Sequence, residues 1–258
     1  MSSLAYVAGD SATMLRRNLK HAQRYPSMTI STIAMPVMTL LLFNYAFGGA
    51  LGAGIGGGDY IDYVAPGVIL MAATSGAVAT AVAVCTDMTE GIINRFRTMA
   101  ITRSAVLTGH VVGSMIQTLI SVAVVIAIAL VIGFRPTAGP VDWLAAVGLL
   151  VLVTFALTWL SAAFGLVTKS PETASNAPLP LVFLPFIGSA IVPTDTMPAG
   201  MRWFAENQPF TPIIETLRGL LMGTPIGHSG LLAVAWCAVM ALGGYLWARA
   251  AFARDPSR

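Results

Sequence analysis

Charged side chains are scarce in this chain. Only 10% of its 258 residues are Asp, Glu, Lys or Arg, and 56% are hydrophobic. A soluble domain has roughly 25% charged residues. With so few charges, a soluble fold of this size could not cover its surface, and a long helix in a soluble core would still need a charged face. The composition, with a mean hydropathy of +0.79, therefore excludes an ordinary soluble domain.

Charges are absent altogether from six long apolar segments. A helix of about 20 apolar residues crosses the hydrocarbon of a bilayer, and each segment is long enough to do so. The sequence therefore predicts an all-α integral membrane protein with six transmembrane helices. The predicted spans are residues 27–47, 64–86, 111–133, 143–167, 173–193 and 230–248.

Residues that carry enzyme chemistry are also few. The two cysteines, Cys85 and Cys237, form no CxxC pair and are expected to be small buried hydrophobic residues. No HExxH or GxSxG pattern is present, and neither lysine follows a glycine as an ATP-binding P-loop requires. The sequence thus predicts no catalytic residues, no metal site and no ATP site. No carboxylate lies within a predicted span, which weakens the case for an ion-driven transporter.

A glycine-rich stretch, residues 48–58, follows the first span. Residues 52–57 formally satisfy the dinucleotide-binding pattern GxGxxG, but they follow a membrane helix rather than a β-strand. We interpret the stretch as a flexible external loop.

Lysine and arginine are distributed unevenly between the two sets of loops. Eleven of the fourteen lie in the N-terminal segment, in the loops after the second and fourth spans, and at the C-terminus. Only Arg135, Arg202 and Arg218 lie in the alternate loops. Cytoplasmic loops of membrane proteins carry the excess of these residues. Both termini are therefore predicted to be cytoplasmic, in agreement with an even number of spans.

The segment before the first span is amphipathic. At 100° per residue, residues 11–25 place Leu15 and Leu19 on one helical face and the basic residues on the other. This pattern predicts a cytoplasmic interfacial helix within residues 1–26, before a transmembrane domain of residues 27–258. A plain basic flank of the first span is the alternative.

The loop between the second and third spans, residues 87–103, is both basic and apolar. Ile92, Phe96 and Met99 fall on one helical face, beside several arginines. The pattern predicts a short amphipathic helix at the cytoplasmic surface, and a helix that merely rests on lipid headgroups is the alternative.

Proline interrupts the fifth predicted span. Pro178, Pro180 and Pro185 lie inside it and Pro171 precedes it. Because proline removes an amide and kinks a helix, this span is predicted to be broken. Broken helices in membranes line a cavity or pack against protein, and simple packing kinks are an equally good interpretation.

The predicted external segment, residues 194–228, is too amphipathic for a plain loop. Thr211 and Pro212 are typical of a helix start, and Gly223 is typical of a helix end. We therefore expect short external helices before the last span.

Two local sequences resemble those of ABC-2-type exporter permeases. Residues 90–103, EGIINRFRTMAITR, are similar to the coupling helix of daunorubicin/doxorubicin-resistance permeases, although Ala100 stands where many relatives have proline. Residues 207–223 contain NQPFTP and ETLRGLLMG, which resemble the second recurrent segment of that family. Both occur in the order and topology of the family, and the resemblance covers nearly the whole chain.

The resemblance implies a mechanism. Two permease chains, identical or paralogous, would pack in the bacterial plasma membrane, and each would dock a separate cytosolic ATP-binding-cassette ATPase that holds ATP and Mg²⁺. Closure of the ATPase pair would reach the spans through the coupling helix. The permease itself would carry no cofactor, would contact membrane lipids and would bind no nucleic acid.

The resemblance also assigns roles to residues. Those expected to contact the ATPase are Glu90, Arg95, Phe96, Arg97 and Arg103, supported by Arg16, Arg17 and Lys20. Those expected to line the substrate path are Thr74, Ser75, Thr80, Asn176, Phe183 and Phe186. Those expected to form an external gate are Pro209, Thr211, Glu215 and Arg218. Glu215 and Arg218 could equally form a local structural pair.

The function implied is the export of a drug-like amphipathic molecule or a lipid. A pocket for such molecules is made of generic apolar and small polar residues, so alternatives stay open. They are the export of a lipid-linked polysaccharide by the same fold, an ion-coupled transporter, and a membrane scaffold that works without an ATPase.

Overall fold

The computed structural model describes residues 26–52, 55, 58–89 and 103–254. These residues are mostly helical, and none of them lies in a β-strand. The predicted all-α membrane fold is therefore confirmed. The predicted interfacial helix and most of the predicted coupling helix, residues 1–25 and 90–102, lie outside the described residues.

We number the α-helices in chain order. They are α1 (Pro26–Leu41), α2 (Gly48–Gly52), α3 (Tyr60–Thr89), α4 (Arg103–Ile132), α5 (Pro140–Val167), α6 (Pro171–Asn176), α7 (Leu179–Ile187), α8 (Ala199–Asn207), α9 (Phe210–Met222) and α10 (Ser229–Arg254). A π-helical stretch, Leu42–Phe47, joins α1 to α2, and a short 3₁₀ turn, Thr194–Thr196, precedes α8.

Five helical stretches of the described residues are long and apolar enough to cross a membrane. They are Ile33–Gly52, Tyr60–Thr89, Val111–Ile132, Pro140–Val167 and Ser229–Phe252. Each coincides with a predicted span. The interpretation of residue 48 onward as a loop was wrong for Gly48–Gly52, because the first helix continues through the π-helical stretch into α2.

The fifth predicted span, residues 173–193, is broken as its prolines indicate. It folds as α6 and α7, separated at Ala177 and Pro178, and as an irregular stretch, residues 188–193. The Ser170 hydroxyl caps α6 by accepting a hydrogen bond from the Thr173 amide at 3.3 Å. Because Pro178 has no amide, the helical hydrogen-bond ladder cannot continue across this point.

Helix α3 is the centre of the bundle. In its most apolar stretch 72% of the residues are buried, compared with 22% in the first and last spans. It packs against α1, α4, α5 and α6, while α5 also packs against α10. Glycines bring these helices close, as is usual in membranes: a Cβ on Gly165 would lie 2.5 Å from the Ala81 carbonyl oxygen, and one on Gly244 would lie 2.6 Å from the Leu160 nitrogen.

Two smaller predictions can be compared directly with the structure. Cys85 and Cys237 are both buried and unpaired, as expected of small hydrophobic residues. The helix predicted from Thr211 to Gly223 is α9, and it ends because Gly223 adopts the left-handed conformation with φ of 69°.

Candidate functional site

Most of the described candidates for the external gate meet at one end of the bundle. We call it the outer end, because the charge bias predicts it to be external. It contains the start of α3, the irregular residues 188–193, and helices α8 and α9. Five residues, Tyr60, Tyr63, Ser189, Ile191 and Arg218, are joined there by hydrogen bonds, and we call them the outer cluster.

Arg218 is the main donor of the outer cluster. Its Nη2 donates to the Ser189 carbonyl at 2.6 Å, and its Nε and Nη2 both donate to the Tyr63 carbonyl at 3.2 Å. The guanidinium also lies over the Tyr63 ring, 3.9 Å from its centre, which is a cation–π contact. One side chain of α9 thus ties the start of α3 to the irregular stretch after α7.

The two tyrosines bond the same irregular stretch. The Tyr60 hydroxyl donates to the Ile191 carbonyl at 2.9 Å, and the Tyr63 hydroxyl donates to the Ser189 carbonyl at 3.2 Å. Because residues 188–193 leave the helical ladder, their carbonyls have no helical amide to accept from, and buried carbonyls need such donors. The tyrosines and Arg218 supply them.

Close backbone packing supports these bonds. A Cβ on Gly67, two turns along α3 from Tyr60, would lie 2.7 Å from the Ala190 Cα. Only glycine at this position lets α3 approach the irregular stretch closely enough for Tyr60 and Tyr63 to reach its carbonyls.

Gln208 connects α7 to the start of α9. Its side-chain nitrogen donates to the Thr211 hydroxyl at 2.9 Å and to the Leu184 carbonyl at 3.4 Å, and its oxygen accepts from the Phe210 amide at 3.1 Å. Pro209 lies at the start of α9 and is partly buried. Thr211 and Pro209 therefore belong to the same outer-end structure as Arg218.

Glu215 has a different partner from the one considered in the sequence. One of its carboxylate oxygens accepts from the Ser229 hydroxyl at 2.9 Å, which ties α9 to the start of α10. In the part of the chain that the structure describes, Glu215 and Arg218 form no ion pair within 4 Å. The alternative of a local Glu215–Arg218 pair was therefore wrong in its geometry, because each side chain bonds a separate element.

The connection between α4 and α5 also contacts the outer end. The Arg135 amide donates to the Asp62 carboxylate at 2.9 Å, and the amides of Thr137 and Ala138 donate to the Leu221 carbonyl at 3.0 and 3.1 Å. These bonds fix this loop to both α3 and α9. The outer end is thus held together by contacts among α3, α7, residues 188–193, α9, α10 and the loop between α4 and α5.

The outer cluster keeps its positive charge although Arg218 is buried. Burial lowers the pKa of Arg218, while Tyr63 and Glu215 nearby raise it. A guanidinium has so high an ordinary pKa that Arg218 keeps its proton throughout the physiological range. The cluster therefore has a permanent cation bonded to backbone carbonyls rather than to a carboxylate.

The residues predicted to line a substrate path lie in two different environments. Thr74 and Thr80 are buried in α3, and their hydroxyls donate to the carbonyls of Met71 and Gly76. Ser75 is partly exposed and donates to the Met71 carbonyl. On α6 and α7, by contrast, Asn176 and Phe183 are exposed. Phe186 is partly buried, with its ring centre 6.4 Å from that of Phe183. Their roles stay predictions.

The residues predicted to contact an ATPase are almost all outside the described residues. These are Arg16, Arg17, Lys20, Glu90, Arg95, Phe96 and Arg97. Arg103 is the first residue of α4.

Tyr60, Tyr63, Ser189 and Gln208 take part in the outer-end structure but were not among the predicted site residues. A signal was present for the tyrosines, since two tyrosines three residues apart at the start of a span are typical of a membrane interface. Gln208 lies in the NQPFTP stretch that resembles the family, which was a signal for it, whereas the sequence pattern contained none for Ser189.

The bundle and its outer end define a multi-pass, all-helical membrane protein. Residues 11–222 match the ABC-2 type transporter family. The chain belongs to this family.

The chain is also similar to proteins that are named as ABC transporter permeases. The chain is 29% identical over 221 residues to the daunorubicin resistance ABC transporter permease protein of Streptomyces coeruleorubidus, covering 85% of this chain and 77% of that protein. It is 22% identical over 209 residues to the probable doxorubicin resistance ABC transporter permease protein of Mycobacterium tuberculosis, covering 81% of this chain and 75% of that protein.

Proposed function

We propose that this chain is the transmembrane subunit of an ATP-binding-cassette exporter that moves a drug-like amphipathic molecule or a lipid out of a bacterial cell. The observation that carries the proposal is the family match over residues 11–222. The names of the relatives, which refer to daunorubicin and doxorubicin resistance, support a drug-like substrate.

A separate cytosolic ATPase would supply the energy, with ATP and Mg²⁺ bound on that subunit, and a second permease chain would complete the membrane part. The bias of Lys and Arg between the loops supports cytoplasmic termini and thus a cytoplasmic docking surface. Glu90, Arg95, Phe96, Arg97 and Arg103 would contact the ATPase, with Arg16, Arg17 and Lys20 in support.

The outer end would act as the external gate. Arg218 and its carbonyl partners join α3, the irregular stretch and α9 within one chain, so we propose that these parts move together when the exit opens. The opening would then form beside the outer cluster rather than through it, and Pro209, Thr211 and Glu215 would move with Arg218.

Copurification tests the docking role. The permease would be expressed with the ATPase encoded beside its gene, should there be one, as the wild type and as the double variant Arg95→Ala, Arg97→Ala. We expect the double variant to fold in detergent, with an unchanged size-exclusion profile, but to lose the ATPase. Arg202→Ala is the matched control, since Arg202 is an exposed arginine that pairs with Glu206 at the outer end, and it should keep the ATPase.

Transport in proteoliposomes tests the activity. The wild-type complex should move daunorubicin across the membrane only with ATP and Mg²⁺, and the double variant should not. A wild-type permease that retains no ATPase in any detergent, or that transports without ATP, would overturn the proposed function in favour of an ion-coupled transporter or a scaffold.

A further inference from the structure

The last helix, α10, presents an exposed face that ends in a cation. The helix packs against α5 and α9, and only 22% of its most apolar stretch is buried. Leu242, Tyr245 and Arg249 follow one another at intervals of three and four residues, so they lie on one face. Leu242 and Tyr245 are 62% and 41% exposed, and Arg249 is also exposed. This face, which we call the α10 face, is thus apolar within the span and positive at its end.

The tyrosine of the α10 face is held in place by α5. Its ring lies edge-on to that of Trp159, with 5.0 Å between the ring centres, and Trp159 is buried. Phe155, one turn nearer the outer end on α5, is partly exposed, and its ring centre lies 6.4 Å from that of Trp159. Aromatic pairs prefer such edge-to-face geometry. Tyr245 is therefore fixed at the edge of an apolar surface to which two helices contribute.

The arginine of the α10 face lies at the membrane surface. Arg249 directly follows the last predicted span, residues 230–248, at the end predicted to be cytoplasmic, and it lies about 6 Å along the helix from Tyr245. Among the described residues its guanidinium has no ion pair or hydrogen bond. Because α10 contains no Asp or Glu, its own helix offers this cation no counter-charge.

We propose that the α10 face binds an anionic phospholipid of the cytoplasmic leaflet. The lipid phosphate would accept hydrogen bonds from Arg249 and from the Tyr245 hydroxyl, and an acyl chain would lie along Leu242 and Phe155. Basic groups between helices at the cytoplasmic side bind anionic headgroups.

Charge complementarity selects an anionic lipid over a zwitterionic one. A zwitterionic headgroup carries an ammonium group beside its phosphate, which the Arg249 guanidinium repels, whereas phosphatidylglycerol carries no cation. The lipid would stay with the permease as a bound partner, so the proposal goes beyond the proposed export and does not depend on which molecule is exported.

Quenching of tryptophan fluorescence by brominated lipids tests the proposal. The full-length permease would carry Trp143→Phe, Trp203→Phe and Trp236→Phe, which leaves Trp159 and Trp247 as reporters close to the α10 face. Vesicles of dioleoylphosphatidylcholine would contain increasing fractions of dibrominated phosphatidylglycerol or dibrominated phosphatidylcholine. The two quenching curves give the relative affinity for the two lipids. We expect the permease without further changes to prefer phosphatidylglycerol about fivefold.

Three substitutions on the α10 face should alter this preference. Arg249→Gln removes the cation and should lower the preference below about twofold. Arg249→Lys keeps the charge and should retain at least about a threefold preference. Tyr245→Phe keeps the ring contact with Trp159 but removes one donor, and it should lower the preference about twofold. Quenching by dibrominated phosphatidylcholine should be the same in all of them, because the reporters stay equally accessible to lipid.

Lys169→Gln is the matched control. Lys169 is exposed and follows α5 at the same end of the bundle, outside the α10 face. Its substitution removes the same charge from the same membrane surface, and it should lower the preference less than about 1.5-fold.

Several results would overturn the proposal. Equal affinity for the two lipids before any substitution on the face would do so without reference to a variant. An equal loss in Lys169→Gln and Arg249→Gln would mean that the general surface charge attracts the lipid. A loss in Arg249→Lys as complete as that in Arg249→Gln would mean that charge does not select it. Because neither an ATPase nor a drug is present, these outcomes are independent of the copurification and transport tests.

Discussion

Side-chain hydrogen bonds follow different rules at the outer end and inside the spans. At the outer end several of them join residues far apart in the chain, as Arg218 does with Tyr63 and Ser189, and Tyr60 with Ile191. Inside the spans many of the described hydroxyls bond the backbone of their own helix, three or four residues earlier, although the buried hydroxyls of Thr154 and Ser161 have no partner among the described residues. Examples of such bonds are those of Thr39, Ser75, Thr80, Ser121 and Thr158.

The difference follows from where backbone carbonyls are free. In a membrane helix the amides and carbonyls satisfy one another, so a Ser or Thr hydroxyl finds its acceptor locally. The irregular residues 188–193 leave carbonyls free, and these accept from donors on other elements. Hydrogen bonds thus specify the tertiary structure at the outer end, whereas close contacts at glycines specify it inside the spans. A weak contact at the opposite end, from the Cys85 thiol to the Thr168 carbonyl at 3.6 Å, also joins distant residues.

Removal of the Arg218 side chain should cause the largest loss. Arg218→Ala removes charged hydrogen bonds to two carbonyls and a cation–π contact, and we expect it to lower the free energy of unfolding by about 2–4 kcal/mol. Arg218→Lys should recover part of this, because a lysine keeps the charge without the fork of donors. Unfolding by SDS titration in mixed micelles measures both. Arg202→Ala, which breaks only an exposed pair with Glu206, should cost less than about 1 kcal/mol, and equal losses would contradict the comparison.

Substitution of Gly67 by alanine should cause the second-largest loss of stability. Gly67→Ala places a Cβ against the Ala190 backbone and should cost about 1–3 kcal/mol through overpacking. Gly148 is the control, since a Cβ there meets no atom within 4 Å. Gly148→Ala should be neutral or stabilising by up to about 1 kcal/mol. The same SDS titration distinguishes them, and a harmless Gly67→Ala would mean that α3 and the irregular stretch can separate freely.

Removal of the Tyr60 hydroxyl should lower the free energy of unfolding by a smaller amount. Tyr60→Phe leaves the Ile191 carbonyl without its donor and should cost about 1–2 kcal/mol. Tyr45→Phe makes the same change at a side chain that is 70% exposed and should change nothing measurable. Thermal unfolding in detergent, followed by the fluorescence of a thiol-reactive dye at the buried cysteines, provides the measurement.

The smallest effect is expected inside the spans. Thr158→Val removes a hydroxyl whose acceptor, the Thr154 carbonyl at 2.6 Å, belongs to the same helix. The free energy of unfolding should fall by no more than about 0.6 kcal/mol. That is the average for hydrogen bonds between membrane helices, and this bond lies within one helix. A loss as large as that of Tyr60→Phe would show that span hydroxyls also specify tertiary structure, and the contrast between the two regions would then disappear.

Local features of this fold could be predicted from the sequence. Missing charges mark the spans, because a charged side chain is costly in hydrocarbon. Pro178 and Pro180 mark the break, and Pro212 and Gly223 mark the ends of α9, because each constrains the backbone within a few residues. The partners of Arg218 could not be predicted in this way. Its acceptor at Tyr63 lies 155 residues away, and helical periodicity indicates which face of a helix is buried but not which distant carbonyl is free. The predicted ATPase contacts and path residues stay predictions.

The donors of the outer cluster contact main-chain oxygens of the irregular stretch and not its side chains. Substitution of Ser189 or Ile191 by another residue of fitting volume would therefore keep every one of these bonds, while Ala190 must stay small opposite Gly67. Substitutions are thus tolerated at Ser189 and Ile191, which accept through the main chain. They are restricted at Tyr60, Tyr63 and Arg218, which donate through their side chains. Among homologous chains, identity at positions 60, 63, 67 and 218 would therefore report this outer-end structure better than identity between residues 188 and 193.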